Sequence, residues 1–227
     1  LSLYIGDKSL RILDFGGGTG EDTLFYAAQG HQVTFLDCSE KMLKMAELSA
    51  EKQGLLNRAA FILVEPDSKL DRLKDGTFDV ILCHMMIEFV TDAERLIGRL
   101  CALLAPGGIL SIVDTNRFAD VYMEALQKKN LATAKTAINQ RKRIHPWVNR
   151  VSPRYAVEDL TPWLCENGCI IDNRFGILSL CAYLPNEPKF DPEYYKELLE
   201  LEMQLTGEYP YFLLARFFQL IAKKKVG

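Results

Sequence analysis

The sequence predicts a doubly wound α/β fold, and three observations carry that prediction. Strand and helix patterns alternate through the first half, a glycine-rich turn follows the first strand, and an acidic residue closes the second. With 227 residues, 48% of them hydrophobic and 25% charged, the chain can bury a core without disulfides or structural metal.

The elements follow in order. Leu10 to Phe15 is a short apolar strand running into glycines, and a helix from about Glu21 to Gln29 is stopped by Gly30. Val33 to Leu36 is the second strand. Ser39 then caps a helix whose apolar face holds Leu43, Ala46 and Leu48 and which ends at Gly54. Phe61 to Val64 and Phe78 to Cys83 are the third and fourth strands. Thr91 to Leu104 reads as a helix, and Pro106-Gly107-Gly108 turns into a fifth strand, Ile109 to Val113. Asn116 to about Arg154 contains no clear strand and reads as a helical insertion. Beyond it come a helix at Val157 to Glu166, a sixth strand at Ile170 to Leu180, a helix at Pro192 to Leu205 and a final strand at Tyr211 to Ile221.

The six cysteines are scattered, several inside apolar runs, and are expected to be buried reduced thiols. Cys165 and Cys169 lack partners at zinc spacing, so no metal is expected. The most apolar stretch, Tyr211 to Ala222, is short for a bilayer and carries Arg216; without a leader-like segment the chain reads as cytoplasmic. It opens at Leu1 with about ten residues before the first strand. That opening suggests an N-terminal segment missing from this sequence.

The sharpest feature is Asp14-Phe15-Gly16-Gly17-Gly18-Thr19-Gly20 between a strand and a helix. Glycines serve where backbone turns tightly and a ligand approaches without a Cβ in the way. Asp37 closes the second strand 21 residues after Gly16, where an acid accepts hydrogen bonds from ribose hydroxyls. A dinucleotide site needs Gly or Ala five positions after the first glycine, but Glu21 and then Asp22 stand there. Two carboxylates at a helix N-terminus repel a pyrophosphate yet tolerate a ligand with an amine and a sulfonium, as in S-adenosylmethionine (SAM). A glycine-rich turn with no ligand is the bland alternative.

Further motifs stand at matching intervals: Phe78-Asp79-Val80-Ile81-Leu82-Cys83-His84 at a strand end, and Leu103-Leu104-Ala105-Pro106-Gly107-Gly108 before strand five. Together these resemble the class I SAM-dependent methyltransferases across roughly residues 10 to 114. The resemblance implies a Rossmann-like, seven-stranded, mostly parallel sheet whose last strand is antiparallel, and a methyltransferase with SAM as cofactor. The expected cofactor residues are Asp14, Gly16, Gly17, Gly18, Gly20, Asp37, Cys38, Cys83 and His84. His84 is equally readable as a hydrogen-bonded rim residue. No catalytic residue is assigned, because methyl transfer to an ionised nucleophile needs alignment more than proton removal.

Between Lys128 and Arg154 the chain carries eight Lys and Arg and no Asp or Glu, against a whole-chain net charge of −3. Such asymmetry points to RNA phosphates, with His145, Trp147 and Tyr155 placed to stack on unpaired bases. The expected substrate-binding residues are Lys135, Arg141, Lys142, Arg143 and Tyr155. A solvated helix face covering the active site is the competing reading.

A narrower resemblance covers the whole chain. His84 with Glu88-Phe89-Val90, the run Arg141-Lys142-Arg143, Leu198 to Glu202, Glu208-Tyr209-Pro210-Tyr211 and Ala215-Arg216 resemble the bacterial tRNA 5-carboxymethoxyuridine methyltransferases. This implies a methyl ester formed on the carboxylate of a modified wobble uridine in tRNA. It also puts Gly16, Gly17, Asp37 and His84 at cofactor positions, and Pro66 and Asp67 where the family contacts the adenine, although the residue types differ. There are two departures. No N-terminal arginine is present to meet the SAM carboxylate. The stretch Gly176 to Tyr183 holds no positive charge where the family carries a basic residue. Two other functions stay open: O-methylation of a small-molecule or carrier-bound carboxylic acid, and a non-catalytic SAM- or RNA-binding module. The chain is expected to form one domain over residues 1–227, with 116–154 as a basic, substrate-covering insertion.

Overall fold

The first strand, β1 (Arg11–Phe15), is buried along almost its whole length and pairs in parallel with β2 (Gln32–Asp37) on one side and β4 (Phe78–His84) on the other. Strands flanked in this way read as apolar runs because both faces are covered. This computed structural model describes residues 4–6, 8–64, 70, 72–145 and 149–226. The strands form a seven-stranded sheet in the order β3-β2-β1-β4-β5-β9-β8, where β3 is Ala59–Leu63, β5 Leu104–Thr115, β8 Cys169–Ile177 and β9 Phe217–Lys224. This is the Rossmann-like, mostly parallel arrangement expected from the sequence.

The chain divides into two compact units. The first comprises Leu1–Ile112, Trp163–Ile170 and Ala222–Gly227. In it, α1 (Glu21–Ala28) and α2 (Glu40–Lys52) cover the sheet, and Ile12, Leu24, Ala27, Val33, Phe35, Val80 and Leu82 form a core from which water is excluded. Each large apolar side chain fully buried there contributes about 1.5–3 kcal/mol. The Ser39 hydroxyl caps α2 by accepting the Met42 N–H at 3.3 Å, and Asp92 caps α3 (Ala93–Leu103) by accepting the Arg95 N–H at 3.0 Å.

The second unit comprises Val113–Pro162 and Ile171–Ile221. Its insertion is more varied than the helix expected for 116–154. After α4 (Ala119–Tyr122), a π-helical turn at Met123–Gln127 and α5 (Leu131–Ala137), the chain forms an antiparallel hairpin of β6 (Lys142–Ile144) and β7 (Val151–Pro153). The hairpin escaped the sequence reading because its strands are only three residues long, Lys142-Arg143-Ile144 and Val151-Ser152-Pro153, too short for alternation to show.

The sixth strand of the sequence reading ends at Ile177 rather than Leu180. There Leu178 turns to a left-handed φ of 58°. The buried Glu202 carboxylate of α7 (Pro192–Leu205) then collects the N–H groups of Ser179 (2.8 Å), Leu180 (2.8 Å) and Cys181 (2.6 Å). The final strand starts at Phe217 rather than Tyr211. Tyr211–Leu214 is a 3₁₀ turn in which the Leu213 N–H is committed to the Pro210 carbonyl and cannot enter a ladder. Of the cysteines, Cys83, Cys101 and Cys169 are buried, but Cys38 and Cys165 are exposed. The Cys101 and Cys169 thiols lie 3.5 Å apart. Among the described residues no helix is long and apolar enough to cross a membrane.

Candidate cofactor loop and acceptor surface

The loop after β1 is held by its own backbone and by one acid. The Gly16 N–H donates to the Leu36 carbonyl at 2.7 Å, and the Gly20 N–H donates to the Gly17 carbonyl at 2.8 Å. Asp37, at the end of β2, accepts the Gly18 N–H on Oδ2 at 3.0 Å and the Ser39 N–H on Oδ1 at 2.8 Å. Each of its oxygens keeps a further acceptor site. Asp14 is buried and accepts the Thr23 hydroxyl, which locks the first strand to α1.

The glycines have distinct reasons. A Cβ at Gly17 would stand 2.6 Å from Asp14 Oδ2 and 2.9 Å from the Phe35 ring, so any side chain there forces the loop outward. Gly18, at φ 54°, faces open space: a Cβ would meet nothing within 4 Å. The loop is thus tight against the core on one side and bare backbone on the other, which fits a ligand laid along it.

His84, at the end of β4, is half-buried, with Nε2 2.9 Å from the Ser111 hydroxyl of β5. Cys83 is fully buried, whereas Cys38 is exposed one residue beyond Asp37. Asp14, Gly16, Gly17, Gly18, Gly20, Asp37 and Cys38 therefore gather around one loop. Pro66, Asp67 and Trp147 lie outside the described residues. Sequence reasoning missed Met86, whose side chain packs where a Gly16 Cβ would go; no spacing rule connects residues 70 apart.

The second unit sorts the expected basic surface into two classes. Lys135 and Lys142 are exposed, and Tyr155 is half-buried. Arg141 is tied to Asp159 at 2.5 Å, which also accepts from Arg117 Nε at 2.9 Å. Burial alone would raise the Asp159 carboxyl. The Arg141 guanidinium, the Ala156 N–H and Arg117 outweigh it and hold the group below its ordinary range. Arg143 reaches Asp120 at 3.5 Å, and Arg154 is buried against the same acid. Arg143 and Arg154 therefore fold inward onto Asp120, whereas Arg141 stays exposed while it pairs with Asp159. The sequence gives the sign of a charge but not the position of its partner. A groove of about 390 Å³ in this unit, lined by Glu158, Pro162, Arg174 and Phe212 among others, contains none of the expected residues.

Comparison with known proteins follows the same lines. A family model described as "Methyltransferase domain" matches residues 13–112, the stretch that holds the loop. The chain is 30% identical over 222 residues to the tRNA 5-carboxymethoxyuridine methyltransferase of Escherichia coli (strain K12), covering 97% of this chain and 82% of that one. It is 28% identical over 172 residues to a ubiquinone biosynthesis O-methyltransferase of Bradyrhizobium sp. (strain ORS 278), covering 75% of this chain and 62% of that one. Among solved structures, an S-adenosylmethionine-dependent methyltransferase from Mesorhizobium loti superposes with a TM-score of 0.68 at 19% identity. That match covers 98% of this chain and 95% of the other, and it shows the shared fold.

Proposed function

Because the chain belongs to the tRNA 5-carboxymethoxyuridine methyltransferase family of SAM-dependent methyltransferases, we propose that it transfers a methyl group to the carboxylate of a modified wobble uridine in tRNA. The observation that carries this reading is the similarity to the E. coli enzyme along 97% of the chain, far beyond the shared methyltransferase region.

When bound, SAM would supply an electrophilic methyl group for the acceptor's carboxylate oxygen, with the thioether as leaving group. The protein's own work is placement. The bare backbone at Gly18, where a Cβ would meet nothing within 4 Å, gives a surface along which the donor would lie, with Gly16 and Gly17 holding the loop tight against Met86, Asp14 and Phe35. Asp37 offers its remaining acceptor sites to the ribose hydroxyls while it holds the loop through Gly18. His84, anchored to Ser111, closes the end of β4 and needs no role as base, since a carboxylate is already ionised at neutral pH. Alignment and exclusion of water carry the rate.

A second reading, O-methylation of a small-molecule or carrier-bound carboxylic acid, draws on the similarity to the ubiquinone biosynthesis O-methyltransferase. Incubating the protein with methyl-labelled SAM and a bacterial extract, then separating nucleic acid from small molecules, decides between them. Label in tRNA is the expected result. Label confined to small molecules supports the second reading, and no transfer at all would leave a non-catalytic binding module.

A further inference from the structure

Two of the six cysteines converge within the first unit. Cys101 lies on α3 and Cys169 opens β8, 68 residues further along the chain, yet their sulfurs stand 3.5 Å apart. Both are buried, at 0% and 1% exposure. A buried cysteine by itself serves as a small apolar side chain. Two sulfurs in contact from elements so far apart in sequence are different. A disulfide holds its sulfurs about 2.05 Å apart, a distance that small side-chain rotations reach from this contact.

The surroundings make the two thiols unequal. The turn ahead of Cys169 is fastened to the end of β9: Lys224 Nζ donates to the Asn167 carbonyl at 3.0 Å, and the Lys225 N–H donates to the Gly168 carbonyl at 3.0 Å. Two lysines are thus held beside Cys169. Its thiol lies below the ordinary range, first through the Cys101 contact and then, against its burial, through the Lys224 and Lys225 charges. Cys101 is pushed the other way by the same contact and by burial. One thiol is suited to ionise and the other to wait beside it. Cys169 is also the better placed to meet a reagent. It starts the edge strand of the sheet, between half-buried Gly168 and exposed Ile170.

We propose that Cys101 and Cys169 form a reversible oxidation site, a dithiol that hydrogen peroxide closes to a disulfide fastening α3 to the β8 edge. The Cys169 thiolate attacks one peroxide oxygen, so that an S–O bond forms as the O–O bond breaks. The hydroxide that leaves takes up the proton Cys169 had released and departs as water. The Cys101 sulfur then attacks the Cys169 sulfenic sulfur, forming the S–S bond and breaking the S–O bond, and its proton leaves with the hydroxyl as a second water. In sum, two thiols are oxidised to one disulfide while one peroxide is reduced to two waters. The sulfur contact decides the outcome, because the resolving thiol is in place before a second peroxide can carry Cys169 to the sulfinic acid. An external dithiol restores the pair. The proposal stands whichever molecule accepts the methyl group.

The test exposes the full chain, dilute and at neutral pH, to a small excess of hydrogen peroxide. Remaining thiols are then alkylated in denaturant, and the digested peptides are identified by mass spectrometry. The expected product is a Cys101–Cys169 linked peptide pair that dithiothreitol separates. The thermal midpoint of the oxidised protein is expected to rise by about 5–10 °C, as for a cross-link closing a loop of 68 residues, and to return on reduction. In Cys101→Ala that gain is expected to vanish, with Cys169 found as the sulfinic acid. Oxidation confined to the exposed Cys38 and Cys165, with no linked pair, overturns the proposal. So does wild-type protein that carries Cys169 as the sulfinic acid and Cys101 as a free thiol, or a Cys101→Ala protein that gains the same midpoint. Should Cys101→Ala fail to fold, the wild-type peptide map decides alone: the linked pair supports the proposal and its absence overturns it.

Discussion

Replacing Asp37 with alanine separates two jobs that one carboxylate performs. In the ligand-free protein the side chain accepts two backbone N–H groups, Gly18 at 3.0 Å and Ser39 at 2.8 Å, in a half-buried position. Losing them loosens the loop but leaves both donors able to reach water, so the stability cost is about 1 kcal/mol, or about 2–4 °C in thermal midpoint. The ligand effect is larger. Two ribose hydroxyls donating to a charged acceptor contribute about 1.5 kcal/mol each at the lower end of the range. Their joint loss weakens SAM binding about 100-fold. Asp37→Asn, which keeps the shape and one carbonyl acceptor, falls between. Titration calorimetry with SAM, paired with thermal unfolding of the free protein, reads both effects. An Asp37→Ala protein that binds SAM within about twofold of wild type refutes the site. A drop of many degrees without ligand shows that Asp37 serves the loop alone.

Gly17→Ala drives a methyl group against Asp14 Oδ2 and the Phe35 ring. It is expected to destabilise the protein by about 1–3 kcal/mol in urea titrations and to weaken SAM binding; an unchanged urea midpoint contradicts the packing argument. Glu202→Ala strands three N–H donors at Ser179, Leu180 and Cys181. The expected loss is about 3 kcal/mol, roughly halved in Glu202→Gln, and equal losses in the two variants would show that the carboxylate is not what fastens the segment. His31 is buried and accepts the Leu10 N–H on Nδ1 at 3.2 Å; burial first, then the Arg58 charge, lowers its affinity for a proton. The unfolded chain therefore binds that proton more readily. This contribution to stability is present above pH 6.5, the ordinary histidine value, and declines as pH falls below it toward the folded pKa. Denaturation at several pH values should show a flatter slope for His31→Asn, and an identical slope assigns the pH dependence elsewhere.

What the sequence disclosed, and what it hid, follows from the range of each interaction. The β1–loop–α1 segment, the acid at the end of β2 and the Ser39 cap were legible because each is built from neighbours at fixed spacing. The end of β8 was hidden because the group that peels the chain off the sheet is Glu202, more than twenty residues further on. The basic run was legible as charge but not as architecture. Arg154 looked like part of a surface, yet it lies buried on Asp120, while Arg141 stays exposed and pairs with Asp159. Arg216 had the opposite history: a residue within an apolar stretch, it turns out to stand beside the uncharged segment 176–183 through a single backbone bond to Leu178.

The most direct test of the central claim is the chemical lability of the transferred methyl group. Purified protein, methyl-labelled SAM and tRNA bearing 5-carboxymethoxyuridine should give label in tRNA that mild alkali releases as methanol, since an ester hydrolyses where carbon- or nitrogen-bound methyl groups persist. Alkali-stable label in tRNA, or label only in small molecules, would contradict the proposed acceptor.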